Sequence, residues 1–147
     1  MADYIPDIRS LLPQGPPFIM VDRFLGSDGI VTRTSFLVTP GNPLVEKGRF
    51  SAGGLIENLA QTAAAGAGWE TMARAGEVVG KTAAGPRSGA VVSIDRLEIH
   101  DLPAVGKELF TETSVTTRVG DIIVISGKIS CGQSVIAVGE MKILAGV

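Results

Sequence analysis

The segment FSAGGLIENLAQTAAAGAGW, residues 50–69, constrains the fold more than any other part of the chain. Apolar residues recur in it at intervals of three and four, which indicates an α-helix. They are Leu55, Ile56, Leu59, Ala60, Ala63 and Ala67. With Ser51 as N-cap, the pattern predicts a helix of about six turns that continues to about Ala73 and stops near Gly76. Because most of its residues are alanine or glycine, neighbouring backbone can approach this helix closely.

Strand-like segments lie on both sides of this helix. Before it, FIMVDRFLGSDG (18–29) and IVTRTSFLV (30–38) predict two strands joined at Asp28-Gly29, a dipeptide that suits the positive φ of a hairpin turn. After it, alternation with a period of two and short turns predict four more strands. These strands cover residues 90–99, 107–119, 121–130 and 134–144.

Two segments rich in Gly and Pro are predicted to be loops. They are TPGNPLVEKGR (39–49), ahead of the helix, and GEVVGKTAAGPRSG (76–89), behind it. Near the N-terminus, DIRSLLPQGPP (7–17) predicts one short helical turn ended by Pro13. Proline removes a backbone donor and disfavours helix in the residue before it.

This order of elements predicts an α+β fold in one domain over residues 1–147. A twisted antiparallel sheet of about 5–6 strands is expected to wrap around the single long helix. Its edge strands carry unpaired backbone groups in a lone chain, so we expect dimerisation through the sheet edges.

Composition excludes several classes of function. The net charge is −2 and the pI about 5.4, with charges of both signs scattered, so a nucleic-acid partner is not expected. Cys131 is the only cysteine, and no Cys and His cluster has metal-ligand spacing, so neither an internal disulfide nor a metal site is predicted. No secretory leader and no run of roughly 18 apolar residues is present, which predicts a cytoplasmic protein without a membrane span. No cofactor is predicted.

Two segments carry a family resemblance: LLPQGPPFIMVDRFL (11–25) and FSAGGLIENLAQTAA (50–64). Both resemble the (3R)-hydroxyacyl-[acyl-carrier-protein] dehydratase branch of the hotdog-fold superfamily, and SIDRLEIHDLPAVGKEL (93–109) is similar to that family's strand and following turn. A closer likeness is to dehydratase-like proteins of aryl-polyene and flexirubin pigment pathways. The resemblance implies a hotdog fold, a homodimer or hetero-hotdog dimer or higher oligomer, and an acyl-carrier-protein or CoA thioester as substrate.

The resemblance also implies a site shared between two subunits. The family places a catalytic His from one subunit opposite a helix carboxylate from the other, with the acyl chain in a tunnel at the dimer interface. Glu57 matches the carboxylate, because Ala60 and Gln61 follow it at the family's spacing. Asn42 stands where the family has its His, so the second proton-transfer group is absent from this position.

Further residues at the helix start are candidates for substrate binding. Ser51-Ala52 stands where the family has the Pro-Gly of its helix start. Ala52, Gly53 and Gly54 still offer backbone N–H groups to a thioester carbonyl oxygen, since the first N–H groups of a helix have no internal partner. Gln61 is expected either to orient Glu57 or the thioester, or to serve in helix packing. Asn42 is either an orienting donor or a turn former between Gly and Pro, and we favour the turn.

Several residues have a simpler interpretation. Without the resemblance, the polar residues of the helix, namely Glu57, Asn58, Gln61 and Thr62, are expected to form its solvated face. Trp69 is expected in the core, and His100 at a solvated strand end. Cys131 has no base beside it. The basic residues Arg23, Lys81 and Arg87 suit either a carrier protein or a solvated surface.

Three functions remain open at this stage. The first is a dehydratase-like enzyme of thioester-bound acyl chains, which works with Glu57 alone or with a partner subunit that supplies the His. The second is a thioesterase, in which Glu57 activates water or attacks the thioester. The third is a non-catalytic acyl-binding or structural subunit that keeps the shell of the family.

Overall fold

The elements are those of a computed structural model that describes residues 6–12, 14–75 and 89–145. Within these ranges the chain forms a short 3₁₀ turn, Ile8–Ser10, and one α-helix, α1, Ala52–Ala75. The strands are β1 Arg23–Ser27, β2 Val31–Leu37, β3 Val45–Glu46, β4 Arg49–Phe50, β5 Gly89–Ile99, β6 Glu108–Val119, β7 Ile122–Cys131 and β8 Ser134–Ala145. The predicted loop at 76–89 falls outside the described residues except for Gly89, and so does Pro13.

Six strands form one antiparallel sheet in the order β1-β2-β6-β7-β8-β5, and α1 packs against one face of it. Strands β6 and β7 alternate over part of their length between buried and more exposed side chains. The predicted α+β hotdog fold, with one long helix wrapped by an antiparallel sheet, is confirmed. The edges of the sheet are β1, with 5 residues, and β5, with 11 residues.

The helix is enclosed on two sides. Leu55, Leu59 and Ala63 face the sheet and join a core of large aliphatic residues from β6, β7 and β8. Ala65 packs instead against a second apolar cluster, which is built by the N-terminal segment and β1. The members of that cluster are Ile8, Leu11, Leu12, Val21, Phe24 and Ala65. A helix covered from both sides needs small residues over most of its surface, which explains its composition.

Two glycines of α1, Gly66 and Gly68, let neighbouring segments pack very close to the helix. A Cβ on Gly66 would overlap Oγ1 of Thr32, a residue of β2 that is itself buried. A Cβ on Gly68 would lie 2.6 Å from the carbonyl oxygen of Leu11, on the opposite side of the helix. The prediction that small residues let other backbone approach the helix closely is therefore confirmed at Gly68, whereas Gly66 makes room for a side chain of β2.

Two local predictions are wrong. Strand β1 begins at Arg23 and not at Phe18, because the backbone of residues 18–20 is hydrogen-bonded by helix side chains in place of a neighbouring strand. The predicted loop 39–49 contains the small hairpin β3–β4, which turns through Lys47 (φ 53°) and Gly48 (φ 78°). This hairpin bonds the segment after β5, where Phe50 N donates to Pro103 O over 2.8 Å.

The hairpin turn between β1 and β2 is where the sequence placed it. Asp28 Oδ1 accepts hydrogen bonds from the N–H groups of Ile30 (2.9 Å) and Val31 (2.7 Å), and Gly29 adopts φ 91°. These two N–H donors hold the pKa of the Asp28 carboxyl below its usual range. The turn is therefore stabilised by two features: the hydrogen bonds to the Asp28 side chain and the positive φ that Gly29 adopts.

Candidate active site

The start of α1 has a defined cap. Ser51 Oγ accepts a hydrogen bond from Gly54 N over 3.2 Å, and Ser51 O accepts from Leu55 N over 3.1 Å, which is the arrangement of an N-cap serine. The expectation that Gly54 offers a free N–H is therefore wrong, because the cap that starts the helix takes that donor. Ala52 and Gly53 are exposed, and their N–H groups have no partner within residues 6–12, 14–75 and 89–145.

Glu57 lies one turn beyond this start and is half-buried. Its Oε2 accepts a hydrogen bond from Gln61 Nε2 over 3.1 Å, from one turn further along the helix. The structure thus brings together two of the residues that the sequence singled out.

The polar residues around Glu57 are not solvated. Asn58, Gln61 and Thr62 are each 0% exposed, so the interpretation as a solvated helix face is wrong for these three residues. Thr62 Oγ1 lies 2.7 Å from Thr34 Oγ1 on β2, and Asn58 Oδ1 accepts from Thr111 Oγ1 on β6. Burial without partners would cost free energy, and here each of the three side chains has protein partners.

Gln61 and Asn58 hold the segment that precedes β1. We call residues 18–22 the strap, because polar side chains of α1 bond the backbone of this segment. Gln61 Oε1 accepts from Met20 N over 2.7 Å, and Gln61 Nε2 also donates to Phe18 O over 2.9 Å. Asn58 Nδ2 donates to Met20 O over 2.7 Å. Gln61 therefore bonds both the strap and Glu57, while its role in orienting the carboxylate or a thioester stays a prediction.

The far end of the strap is attached to β2. Asp22 N donates to Ser35 O over 2.8 Å, and Asp22 Oδ2 accepts from Leu37 N over 2.6 Å. Partial burial raises the pKa of the Asp22 carboxyl, and the nearby Glu108 acts in the same direction, although the Leu37 N–H and Arg23 oppose it.

Asn42 is held in a turn and touches the strap through Met20. Its Oδ1 accepts from Leu44 N over 2.8 Å, and its Nδ2 donates to Met20 Sδ over 3.3 Å. Its backbone also bonds Thr39 O and Val45 N. These contacts favour the turn-former interpretation, and they connect Asn42 to Gln61 and Asn58 only indirectly, because all three side chains contact Met20.

The remaining residues that the sequence singled out form no side-chain hydrogen bond with Glu57, Gln61 or Asn58 in the described part of the chain. Trp69 packs against Phe24, with ring centroids 5.6 Å apart, so its assignment to the core is supported. His100 and Arg23 are exposed, and Cys131 is half-buried at the end of β7. Lys81 and Arg87 lie outside the described residues. No group of three potential metal ligands occurs in the described ranges.

Sequence reasoning missed Asn58, Met20 and Thr111. Asn58 and Gln61 follow Glu57 on the same side of the helix, and buried amides are the side chains that bond a crossing backbone segment. The sequence signal for this arrangement was the pair of amide residues, Asn58 and Gln61, three residues apart on the helix, together with a proline-rich segment that could cross it.

The long helix packed against a six-stranded antiparallel sheet defines a hotdog-fold protein. A comparison with protein families matches residues 6–146 to the ApeP-like family, described as ApeP dehydratase. The chain belongs to this family. No curated protein sequence matches it.

Solved structures share the fold at low sequence identity. The dehydratase heterocomplex ApeI:P from Xenorhabdus doucetiae aligns with a TM-score of 0.81 and 17% identity, over 97% of this chain and 92% of that chain. The E. coli PaaI protein from the phenylacetic acid degradation operon aligns with a TM-score of 0.62 and 12% identity, over 82% and 80%. A hypothetical thioesterase with coenzyme A from Streptococcus pneumoniae aligns with a TM-score of 0.61 and 9% identity, over 84% of both chains.

Proposed function

We propose that this chain is the carboxylate-bearing subunit of a two-subunit dehydratase that acts on 3-hydroxyacyl thioesters. The observation that carries the proposal is the half-buried Glu57, held by Gln61 next to a capped helix start in a chain of the ApeP-like dehydratase family. A second hotdog subunit supplies the histidine that Asn42 replaces. The ApeI:P dehydratase heterocomplex, similar in fold, supports the idea of two unlike subunits.

The reaction needs two proton transfers. One group removes the proton from the carbon next to the thioester carbonyl, and another protonates the departing 3-hydroxyl, so that a C=C bond forms and water leaves. Glu57 supplies one of these groups. The exposed N–H groups of Ala52 and Gly53 are proposed to bind the carbonyl oxygen, where negative charge develops as the proton is removed.

Asn42 is unsuited to be the second proton-transfer group. An amide does not exchange a proton near neutral pH, and both its Oδ1 and its Nδ2 are engaged by Leu44 and Met20. The site therefore requires a group from another chain.

We propose that the partner docks on the outer edge of β5, which carries the exposed apolar residues Val91, Val92 and Ile94.

A thioesterase is the second candidate. One held carboxylate is sufficient to activate water for attack on a thioester, and Glu57 is the group available for it in this chain. The fold is shared with the coenzyme A-bound hypothetical thioesterase from Streptococcus pneumoniae, which is consistent with this alternative but carries no residue roles.

The decisive experiment measures two products from one substrate. The chain is purified alone and with a histidine-bearing hotdog partner, and each sample is incubated with 3-hydroxyacyl thioesters of coenzyme A and of a carrier protein. Mass spectrometry follows the 2-enoyl thioester, and a thiol reagent follows thioester cleavage. We expect enoyl product only with the partner present, and none with Glu57→Gln. Thiol release would support the thioesterase, and binding without either product would support a non-catalytic subunit.

The cellular setting follows from the same proposal. Within the described residues, no helix combines the length and apolar character that a membrane span requires. A cytoplasmic location and an acyl-carrier-protein or CoA thioester substrate are part of the proposed function.

A further inference from the structure

Asn58, the residue after Glu57 on α1, is a buried polar side chain with hydrogen bonds at both ends of its amide. It is 0% exposed, although it belongs to a residue type that is usually solvated. Its Nδ2 donates to Met20 O over 2.7 Å, and its Oδ1 accepts from Thr111 Oγ1 on β6. Asn58 thus joins the sheet, the helix and the strap at a single point.

The peptide groups on both sides of Met20 are held by α1. While Asn58 holds the carbonyl of Met20, Gln61 Oε1 accepts from its N–H over 2.7 Å. A backbone N–H only donates, so the amide oxygen of Gln61 must face Met20, and its nitrogen must face away. The two N–H bonds of Nε2 are then directed to Phe18 O (2.9 Å) and to Glu57 Oε2 (3.1 Å).

We propose that Asn58 is a positioning residue for the proposed dehydratase reaction. It holds the carbonyl of Met20, and the position of Met20 sets the orientation of the Gln61 amide. The Gln61 amide in turn holds the Glu57 carboxylate. This inference rests on the proposed function for its consequence in catalysis. The chain of hydrogen bonds runs from Thr111 on the sheet to Glu57, and every polar atom along it has a partner of the correct type.

Thr62 provides a matched control. It lies one turn after Asn58, is also 0% exposed, and also bonds the sheet, through Thr34. Its other bond goes to Asn58 O within the helix, so Thr62 has no hydrogen bond to the strap within the described part of the chain. Replacing either residue by an apolar one of similar size removes buried hydrogen bonds, but only the replacement of Asn58 removes a hydrogen bond to Met20.

The first test does not depend on activity. Hydrogen exchange resolved at individual amides is measured for the Met20 N–H, which lies outside any strand or helix. We expect it to be protected in the wild-type chain, to lose protection in Asn58→Leu, and to keep it in Thr62→Val. An unprotected Met20 N–H in the wild type would overturn the inference, as would equal protection in Asn58→Leu. If Asn58→Leu does not fold, Asn58→Ala takes its place with the same expectations.

The second test measures turnover in the assembled two-subunit complex. We expect Asn58→Leu to lower kcat about 10- to 100-fold with little change in KM, because a carboxylate displaced by a fraction of an ångström reacts more slowly without binding substrate less well. Thr62→Val should have near wild-type kcat at a similar loss of thermal stability. Equal kcat in both variants would overturn the positioning role.

The two proposals fail in different ways. Absence of enoyl product with every partner and substrate would refute the proposed function, while the exchange of Met20 would still decide whether the strap is held by Asn58. Loss of Met20 protection with unchanged kcat would refute the positioning role and leave the dehydratase function standing.

Discussion

Gln61 Nε2 donates to Glu57 Oε2 over 3.1 Å, and this bond leaves Glu57 Oε1 without a protein partner within the described residues. Among the described residues, the carboxylate is therefore held through one of its two oxygens. A side chain fixed in this way loses less rotational freedom when it meets a substrate, which is the general advantage of a preorganised site.

Glu57→Gln should slow turnover by orders of magnitude at nearly unchanged stability. Glutamine is close to glutamate in shape and still accepts the bond from Gln61, but it does not transfer a proton near neutral pH. We expect a loss of about 10²–10⁴-fold in the rate of enoyl thioester formation. The rate is measured in the two-subunit complex and the melting temperature in parallel. A rate within a few-fold of wild type would remove Glu57 from the reaction.

Gln61→Met should destabilise the fold markedly. Methionine keeps the approximate volume but leaves the Met20 N–H and the Phe18 carbonyl without their bonds to Gln61, and each such group costs about 1–3 kcal/mol. We expect a loss of about 2–6 kcal/mol in the free energy of unfolding, measured with urea. The control is Gln133→Met, at an exposed turn position, which should have little effect. Equal losses in both variants would argue against the strap contacts.

Gly66→Ala and Gly53→Ala should have opposite effects. The new Cβ at position 66 overlaps the side chain of Thr32, which is buried and bonded to Ser27 Oγ, so we expect a loss of about 1–3 kcal/mol. At position 53 the nearest atom to the new Cβ is Ser51 Oγ, 3.7 Å away, and alanine favours helix by up to about 1 kcal/mol. Urea unfolding of both variants checks the pair. A stabilised Gly66→Ala variant would contradict the close packing of α1 on β2.

Asp22→Asn should stabilise the protein at neutral pH, and the gain should disappear in acid. Because partial burial raises the pKa of the Asp22 carboxyl above its value of 3.8 in the unfolded chain, ionisation is less favourable in the folded state. Asp22 therefore costs stability above its folded pKa, and this cost vanishes as the pH falls below 3.8. Asparagine still accepts the bond from Leu37 N and carries no charge.

The comparison between Asp22→Asn and wild type uses the free energy of unfolding at several pH values. The difference should be largest near neutrality and shrink with acid. A difference that grows with acid would mean that the Leu37 N–H and Arg23 outweigh the burial of the carboxyl, which reverses the direction of its pKa.

The helix and most of the strands were predictable because each has a long, regular pattern. The helix start at Ser51 and the turn at Asp28-Gly29 depend on local chemistry, and both were found. Residues 18–22 were assigned to a strand because their apolar composition resembles one. The backbone groups of Phe18 and Met20 bond side chains 38 to 43 residues away in the sequence, which no local pattern encodes. The hairpin β3–β4 has two-residue strands, too short to show a period.

The candidate site was predictable only in part. Glu57 was singled out through the family resemblance, whereas Asn58 was placed on a solvated face together with Gln61 and Thr62. A helical period separates polar from apolar faces, but it does not tell whether the polar face meets water or a crossing backbone segment. The N-cap at Ser51 was predicted, yet its use of the Gly54 N–H follows only from the geometry of the cap.

The two tight contacts of α1, at Gly66 and Gly68, restrict where residues can be inserted into or deleted from the helix. Gly66 touches the sheet and Gly68 touches the N-terminal segment, so the second half of the helix has one permitted rotation about its axis. One residue added or removed between Glu57 and Gly66 would turn the carboxylate by about 100° relative to that anchor. Length changes in related chains should therefore fall in the loops, and the spacing of nine residues from Glu57 to Gly66 should be kept wherever the carboxylate is used.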